Sequence, residues 1–156
     1  MAMRCKLCAL ALLAGSAMAA DLPKEGTVDT SLCFGGPMHL IAAAPGERLG
    51  SYVVKGGTSA GSPAFDSMAV ECTGIFEARA GATQSKGYCV FRDVSGDTIH
   101  GTDAITPEGY VFEYLGGTGK FKGISGSGRI ERVGTLASEG DRMRGCRKMV
   151  GTYKFK

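Results

Sequence analysis

The segment Gly116 to Gly128, which reads Gly-Gly-Thr-Gly-Lys-Phe-Lys-Gly-Ile-Ser-Gly-Ser-Gly, has the composition of a loop that cradles a phosphate. Such a loop needs a glycine, four residues, then Gly-Lys-Ser/Thr. Backbone N–H groups then wrap the phosphates, and the hydroxyl reaches a magnesium ion. Here Gly119-Lys120 is followed by Phe121, and Tyr114 stands where the first glycine belongs. The motif fails at both ends, so no nucleotide is expected. The segment reads instead as a turn at 116–119 entering a strand bent through Gly123, Gly126 and Gly128, with Lys120 and Lys122 as solvated flanks.

Other residues offer nucleophiles, bases and binding surfaces. Ser125 lies in Gly123-Ile124-Ser125-Gly126, one residue short of a Gly-x-Ser-x-Gly elbow, and no helical pattern follows it or Ser127. His100, beside the Ser95-Gly96 reversal, has the chemistry of a general base but reads as a surface histidine. His39 has no evident partner. Glu71, Glu77, Glu113 and Arg92 stand on apolar-flanked strands. Gathered in a lumen they would form an acid/base or charge-stabilising set, whereas exposed cross-strand ion pairs are the commoner outcome. Tyr110, Phe112 and Tyr114 share one strand face, a stripe suited to an apolar ligand or to core packing. The candidate ligand-binding set is therefore Tyr110, Phe112, Tyr114, Glu71, Arg92 and Glu113, and no residue declares itself catalytic.

Compartment constrains this chemistry. Residues 1–19 have the form of an export signal: Arg4 and Lys6, an apolar core from Leu7 to Ala14, then Ala17-Met18-Ala19. That core is too short to span a bilayer, which takes about 20 residues. Cys5 and Cys8 leave with the signal, so they form neither a redox nor a metal pair in the exported chain. Cys33, Cys72, Cys89 and Cys146 remain, an even set that implies two disulfides in a periplasmic or secreted protein. With no Cys-x-x-Cys left and only His39 and His100 as imidazoles, neither a metal site nor a cofactor is expected.

Removing nineteen residues from 156 leaves 137, enough for one domain with a real core. It also lowers the net charge from +3 to +1, which argues against a nucleic-acid partner. The densest basic cluster, Arg142, Arg144, Arg147 and Lys148, reads as a solvated strand face.

The supporting elements are strands. Glycine supplies 25 of 156 residues, which rules out a helical bundle, since glycine costs about 1 kcal/mol per helical position. Residues 20–37 read as an irregular lead-in. Strands are expected near 38–44, 48–56, 67–79, 84–94, 97–105, 109–115, 121–133 and 144–155, with the barrel domain over 38–156. Glycines within so many strands favour a small, strongly coiled closed barrel over a flat sandwich. Val94-Ser95-Gly96-Asp97 and Arg79-Ala80-Gly81-Ala82 are tight reversals. Centring the second on Ala80 and Gly81 makes residues summing to 161 face each other, which Cys72 and Cys89 do. That is the preferred pairing of the three available, and it leaves Cys33 for Cys146. Which strand faces point inward stays open, because both faces of several strands are partly apolar.

Gly-Gly-Thr-Gly-Lys-Phe, from Gly116, resembles the Gly-Gly-Thr-Gly-Lys-aromatic segment of the allene oxide cyclase/dirigent-type barrel superfamily. Cys72-Thr-Gly-Ile-Phe-Glu77, Gly87-Tyr-Cys-Val-Phe91 and Asp97 are similar to small exported bacterial proteins of that type, of unassigned function. The resemblance covers residues 66–132. It implies an all-β, single closed eight-stranded antiparallel barrel, calycin-like in outline. The plant cyclases isomerise a fatty-acid epoxide and dirigent proteins steer radical coupling, but no catalytic residue carries over to a position here.

Three functions fit such a barrel. It binds a small apolar ligand or an envelope partner without chemistry; or it acts as an isomerase or cyclase-like enzyme on an apolar substrate in the lumen; or it is a structural or interaction protein with a filled core. An open lumen without charge favours the first, an open lumen with glutamate and arginine the second, and a packed lumen the third. Ligand identity and oligomeric state are not written in the sequence.

Overall fold

Alternation of inward and outward side chains, punctuated by glycine turns, produces eight strands. They are β1 (Glu25–Ala44), β2 (Glu47–Ser59), β3 (Ala69–Arg79), β4 (Ala82–Arg92), β5 (Thr98–Thr106), β6 (Gly109–Gly117), β7 (Ile124–Glu139) and β8 (Arg142–Phe155). The computed structural model describes residues 22–59 and 61–156. The expected export signal at 1–19, with Cys5 and Cys8, lies outside the described residues. Each strand pairs antiparallel with its neighbours in sequence, and β1 pairs with β8, so the sheet closes as the sequence predicts. Closure leaves no edge strand. Among the described residues, short 3-10 turns at Pro63–Phe65 and Gly119–Phe121 are the other regular segments. Among the described residues no helix is long and apolar enough to cross a membrane.

The beginning of the barrel corrects the expected boundaries. Residues 25–37, part of the expected irregular lead-in over 20–37, are strand, and the barrel begins at Glu25 rather than at 38. Val28, Thr30 and Leu32 alternate into the interior. Pairing with β8 runs from Glu25 opposite Lys154 to Pro37 opposite Arg142. The ladder partner of this stretch lies at the far end of the chain, and Gly35-Gly36-Pro37 imitates a break. Pro37 in fact sits inside β1, where the β8 ladder ends.

Both disulfides follow from register. The β3–β4 turn carries Ala80 and Gly81 with φ of 48° and 81°, the backbone of a two-residue I′ hairpin. That turn sets Cys72 opposite Cys89, and the two are bonded. Closure sets Cys33 opposite Cys146, also bonded. The pairs lie on opposite sides of the wall: Cys72 and Cys89 are buried inside, while Cys33 is exposed outside.

The core occupies one end. There Phe65, Met68, Ile99, Phe121, Ile124 and Tyr153 are buried and seal the barrel with the two 3-10 turns. The four tight hairpins, at 45–46, 80–81, 107–108 and 140–141, all lie at the opposite end. The barrel is therefore a cup.

The phosphate-like segment is part of the sealed end. Gly119, at φ +52°, lies against the Asp97 carboxylate, where a Cβ would stand only 1.8 Å from an Asp97 oxygen. The Lys120 N–H donates to Asp97 at 3.1 Å, and the Lys120 ammonium pairs with Asp93. Lys120 is exposed as expected, but it stands on the 3-10 turn and clasps the β4–β5 turn. Asp93 also accepts from the Ser95 and Asp97 N–H groups, each at 2.9 Å. Burial raises its pKa, but hydrogen bonds from Lys120, Ser95 and Asp97 outweigh that and hold it at about 2. A carboxyl depressed in the folded state stabilises fully above its unfolded value, about 3.9, and loses this as pH falls through the folded value. Asp93→Ala is expected to cost about 1–2 kcal/mol at pH 7 by urea titration, and distinctly less near pH 2. An equal difference at both pH values would count against the clasp.

Candidate functional site

Above the sealed end the lumen is open. Its cavity measures about 820 Å³, within the range of small-molecule sites. Deep walls come from Leu32, Val54, Phe91, Phe112, Tyr114 and Met149. Nearer the mouth they are Met38, Leu40, Phe76, Ile105, Ile130 and Met143. The Cys72–Cys89 disulfide forms part of the same wall.

Two polar features interrupt this surface. The first centres on Asp103, only 7% exposed, on the inward face of β5. The Tyr110 hydroxyl donates to its Oδ2 at 2.9 Å. The Tyr52 hydroxyl and Asp103 Oδ1 both converge over Gly87, where a Cβ would stand 2.5 and 2.4 Å from them. Gly87 is the space that admits both groups. Burial raises the Asp103 pKa, against the Tyr110 hydrogen bond, which lowers it. Burial, then the neighbouring Asp103 charge, pushes the hydroxyls of Tyr52 and Tyr110 above the ordinary tyrosine value.

The second feature is arginine. Arg147 is 7% exposed on the inward face of β8, with its guanidinium 5.8 Å from the centre of the Phe34 ring. Its Nη1 donates to the Cys146 carbonyl at 2.8 Å. Arg132 stands directly opposite it across the β7–β8 ladder and borders the cavity, as does Arg48 from β2. Burial lowers the Arg147 pKa, the neighbouring Tyr110 opposes that, and Arg132 adds to the lowering.

The sequence-derived candidates divide by face. Tyr110, Phe112 and Tyr114 all line the cavity, and they also pack. Phe112 and Tyr114 lie 5.1 Å apart between centroids, and Tyr114 meets Phe65 and Phe91. Glu71 and Arg92 do not line the cavity, and Glu113 borders it while alternating outward between buried Phe112 and Tyr114. Glu71 pairs with Lys55 at 3.4 Å on the surface, and Arg92 bonds the Gly96 carbonyl at 3.2 Å. Glu113 is exposed, opposite in direction to Phe112 and Tyr114. His39, His100 and Ser127 are exposed, and Ser125 bonds the Lys154 carbonyl at 3.4 Å. In the basic cluster, Arg142 and Arg144 are exposed as expected, but Arg147 turns inward. Asp103, Tyr52 and Arg147, with Arg132 and Arg48 exposed at the cavity border, are residues of the lumen that sequence reasoning does not assign to it. Among the described residues no group of three or more metal-binding side chains occurs.

The charge on Asp103 has a measurable consequence. A carboxyl whose pKa is raised by folding stabilises most below the unfolded value of about 3.9, and this contribution declines as pH rises through the folded value. At neutral pH Asp103 is therefore a cost. Asp103→Asn keeps an acceptor for Tyr110 and removes the titration. Its Tm, relative to the parent, is expected to rise between pH 4 and pH 8, and a pH-independent difference would contradict the burial argument.

No family model matches the sequence, and no curated protein matches it. Among solved structures, the pterocarpan synthase dirigent protein GePTS1 is similar, with a TM-score of 0.50 and 12% identity over 86% of this chain and 88% of that one. At this identity the likeness is one of fold, the eight-stranded barrel of dirigent proteins.

Proposed function

We propose that this chain is an exported, non-enzymatic barrel that binds a small, largely apolar molecule in its lumen. The observation that carries this reading is the cavity of about 820 Å³, apolar along most of its wall and open above a sealed floor. A purely structural barrel would have filled that space with side chains. Export is supported by the signal-like sequence pattern of residues 1–19 and by the two disulfides, which persist in oxidising compartments.

A second reading, proton transfer to an apolar substrate, is favoured by one observation: Asp103 lies on the lumen face with burial raising its pKa. Acid–base sites usually hold two titratable groups pushed apart in pKa. Asp103 has Tyr110 as its partner, whose proton is itself held tightly. Binding is common to both readings and is therefore tested first. Native mass spectrometry of the full chain purified from its own periplasm is expected to show a co-purifying small molecule. A clean apo mass, together with no thermal shift across a panel of lipids and phenolics, would overturn both readings.

A further inference from the structure

We propose that the molecule held in the lumen is amphipathic and carries an oxyanion head, which Arg147 and Arg132 receive. The inference rests on the reading of the lumen as a ligand site and specifies its occupant. Arg147 and Arg132 are directly opposite each other across the β7–β8 ladder. Like charges in that relation repel, and a chain keeps them where a counter-charge compensates. Among the described residues neither arginine lies within ion-pair distance of a carboxylate. Asp103 is a buried acidic side chain on the lumen face, and it is engaged by Tyr110.

Arg147 sharpens the argument. It is more than nine-tenths buried, and the hydrogen bond it makes is to the carbonyl of its own neighbour, Cys146. A guanidinium carries five N–H donors in a planar fork that matches carboxylate or phosphate. Its Phe34 contact is to the ring face and uses none of them. Buried charge without a partner is costly, so donors left over beside an apolar cavity mark the place of an anion. The aliphatic and aromatic walls take the rest of the molecule, and Arg48 adds positive charge to the lining.

The test is competition against a neutral fluorescent dye, N-phenyl-1-naphthylamine, in the full chain at neutral pH. The competitors are dodecanoate, dodecyl phosphate and dodecanol, each kept below micelle formation. At least one anion is expected to bind on the order of tenfold or more tighter than dodecanol. Carboxylate preference points to a fatty-acid type of ligand, and phosphate preference to a phospholipid type. In Arg147→Met the anion advantage is expected to vanish while dodecanol affinity is kept, and Arg147→Lys is expected to restore part of it. Equal binding of anion and alcohol by the parent chain overturns the oxyanion head and leaves the ligand cup standing. Failure of the dye and all three competitors to bind overturns both. The comparison in the parent chain decides even where a variant folds poorly.

Discussion

The double variant Cys33→Ala/Cys146→Ala is expected to lose about 4–5 kcal/mol of unfolding free energy while keeping its cup intact. The bridge spans 113 residues, so in the unfolded chain its removal frees a very long loop. The chain-entropy model assigns a loop of about 100 residues roughly 4.7 kcal/mol, against about 3 kcal/mol for one of about 15. Its position adds force to the number, because it staples β1 to β8, the one ladder that joins the two ends of the chain. It also lies on the outer side of the wall, with Cys33 exposed, so its loss removes nothing from the cavity lining. Urea unfolding of the variant and the parent measures the effect. A loss below about 1 kcal/mol would show that the closing ladder holds in the unfolded ensemble without the staple. Loss of ligand binding by the still-folded variant would show that the seam shapes the lumen.

Phe65→Ala is expected to cost about 3–5 kcal/mol, the usual range for a buried phenylalanine, and to perforate the floor. Phe65 is 1% exposed. It stacks on Tyr114 at 5.6 Å between centroids and meets Tyr153 edge-on at 5.3 Å. The connection that carries it is pinned. Thr58 Oγ1 donates to the Phe65 carbonyl at 2.6 Å and accepts from the Met68 N–H at 2.9 Å. Ser62 Oγ donates to the Thr27 carbonyl at 2.9 Å. The segment therefore cannot collapse freely into the void, which places the cost toward the upper part of the range. Phe65→Leu keeps most of the volume and is expected to cost well under half as much. Denaturant titration of both variants checks this, and near-equal losses would mean that ring volume is not what seals the barrel.

Legibility of the sequence follows distance along the chain. The Cys72–Cys89 pairing is readable because one two-residue turn fixes the register, whereas centring the next reversal on Ser95 and Gly96 sets Asp103 opposite Tyr88, one residue out of register, because five residues rather than two separate β4 from β5. In that hairpin Cys89 faces Gly101 and Gly87 faces Asp103, so Asp103 falls on the cysteine side of the wall. Also missing was the knowledge that this side is the inside, and alternation could not supply it. Cys72 and Phe91 are buried, yet Ile75, Tyr88 and Val90 on the other face are exposed apolar residues. Arg147 was hidden for a different reason: it sits in a basic run whose other members do face solvent, and one side of its strand is the closing ladder. The first half of β1 was unreadable locally because its partner is β8. The glycines Gly128 and Gly151 show the reverse case. They were legible as strand glycines, and the structure adds that they face each other beneath the Phe112 ring.

The two disulfides, one on each side of a single sheet, give the molecule a built-in internal control for occupancy. Thiol–disulfide exchange requires that a thiolate reach a sulfur, so its rate reports access. A small reductant meets Cys33–Cys146 from bulk solvent whether the lumen is full or empty. It must enter the cup to meet Cys72–Cys89. The ratio of the two reduction rates, read by alkylation and mass spectrometry, therefore measures how much of the lumen is filled, in any medium and without knowing what fills it.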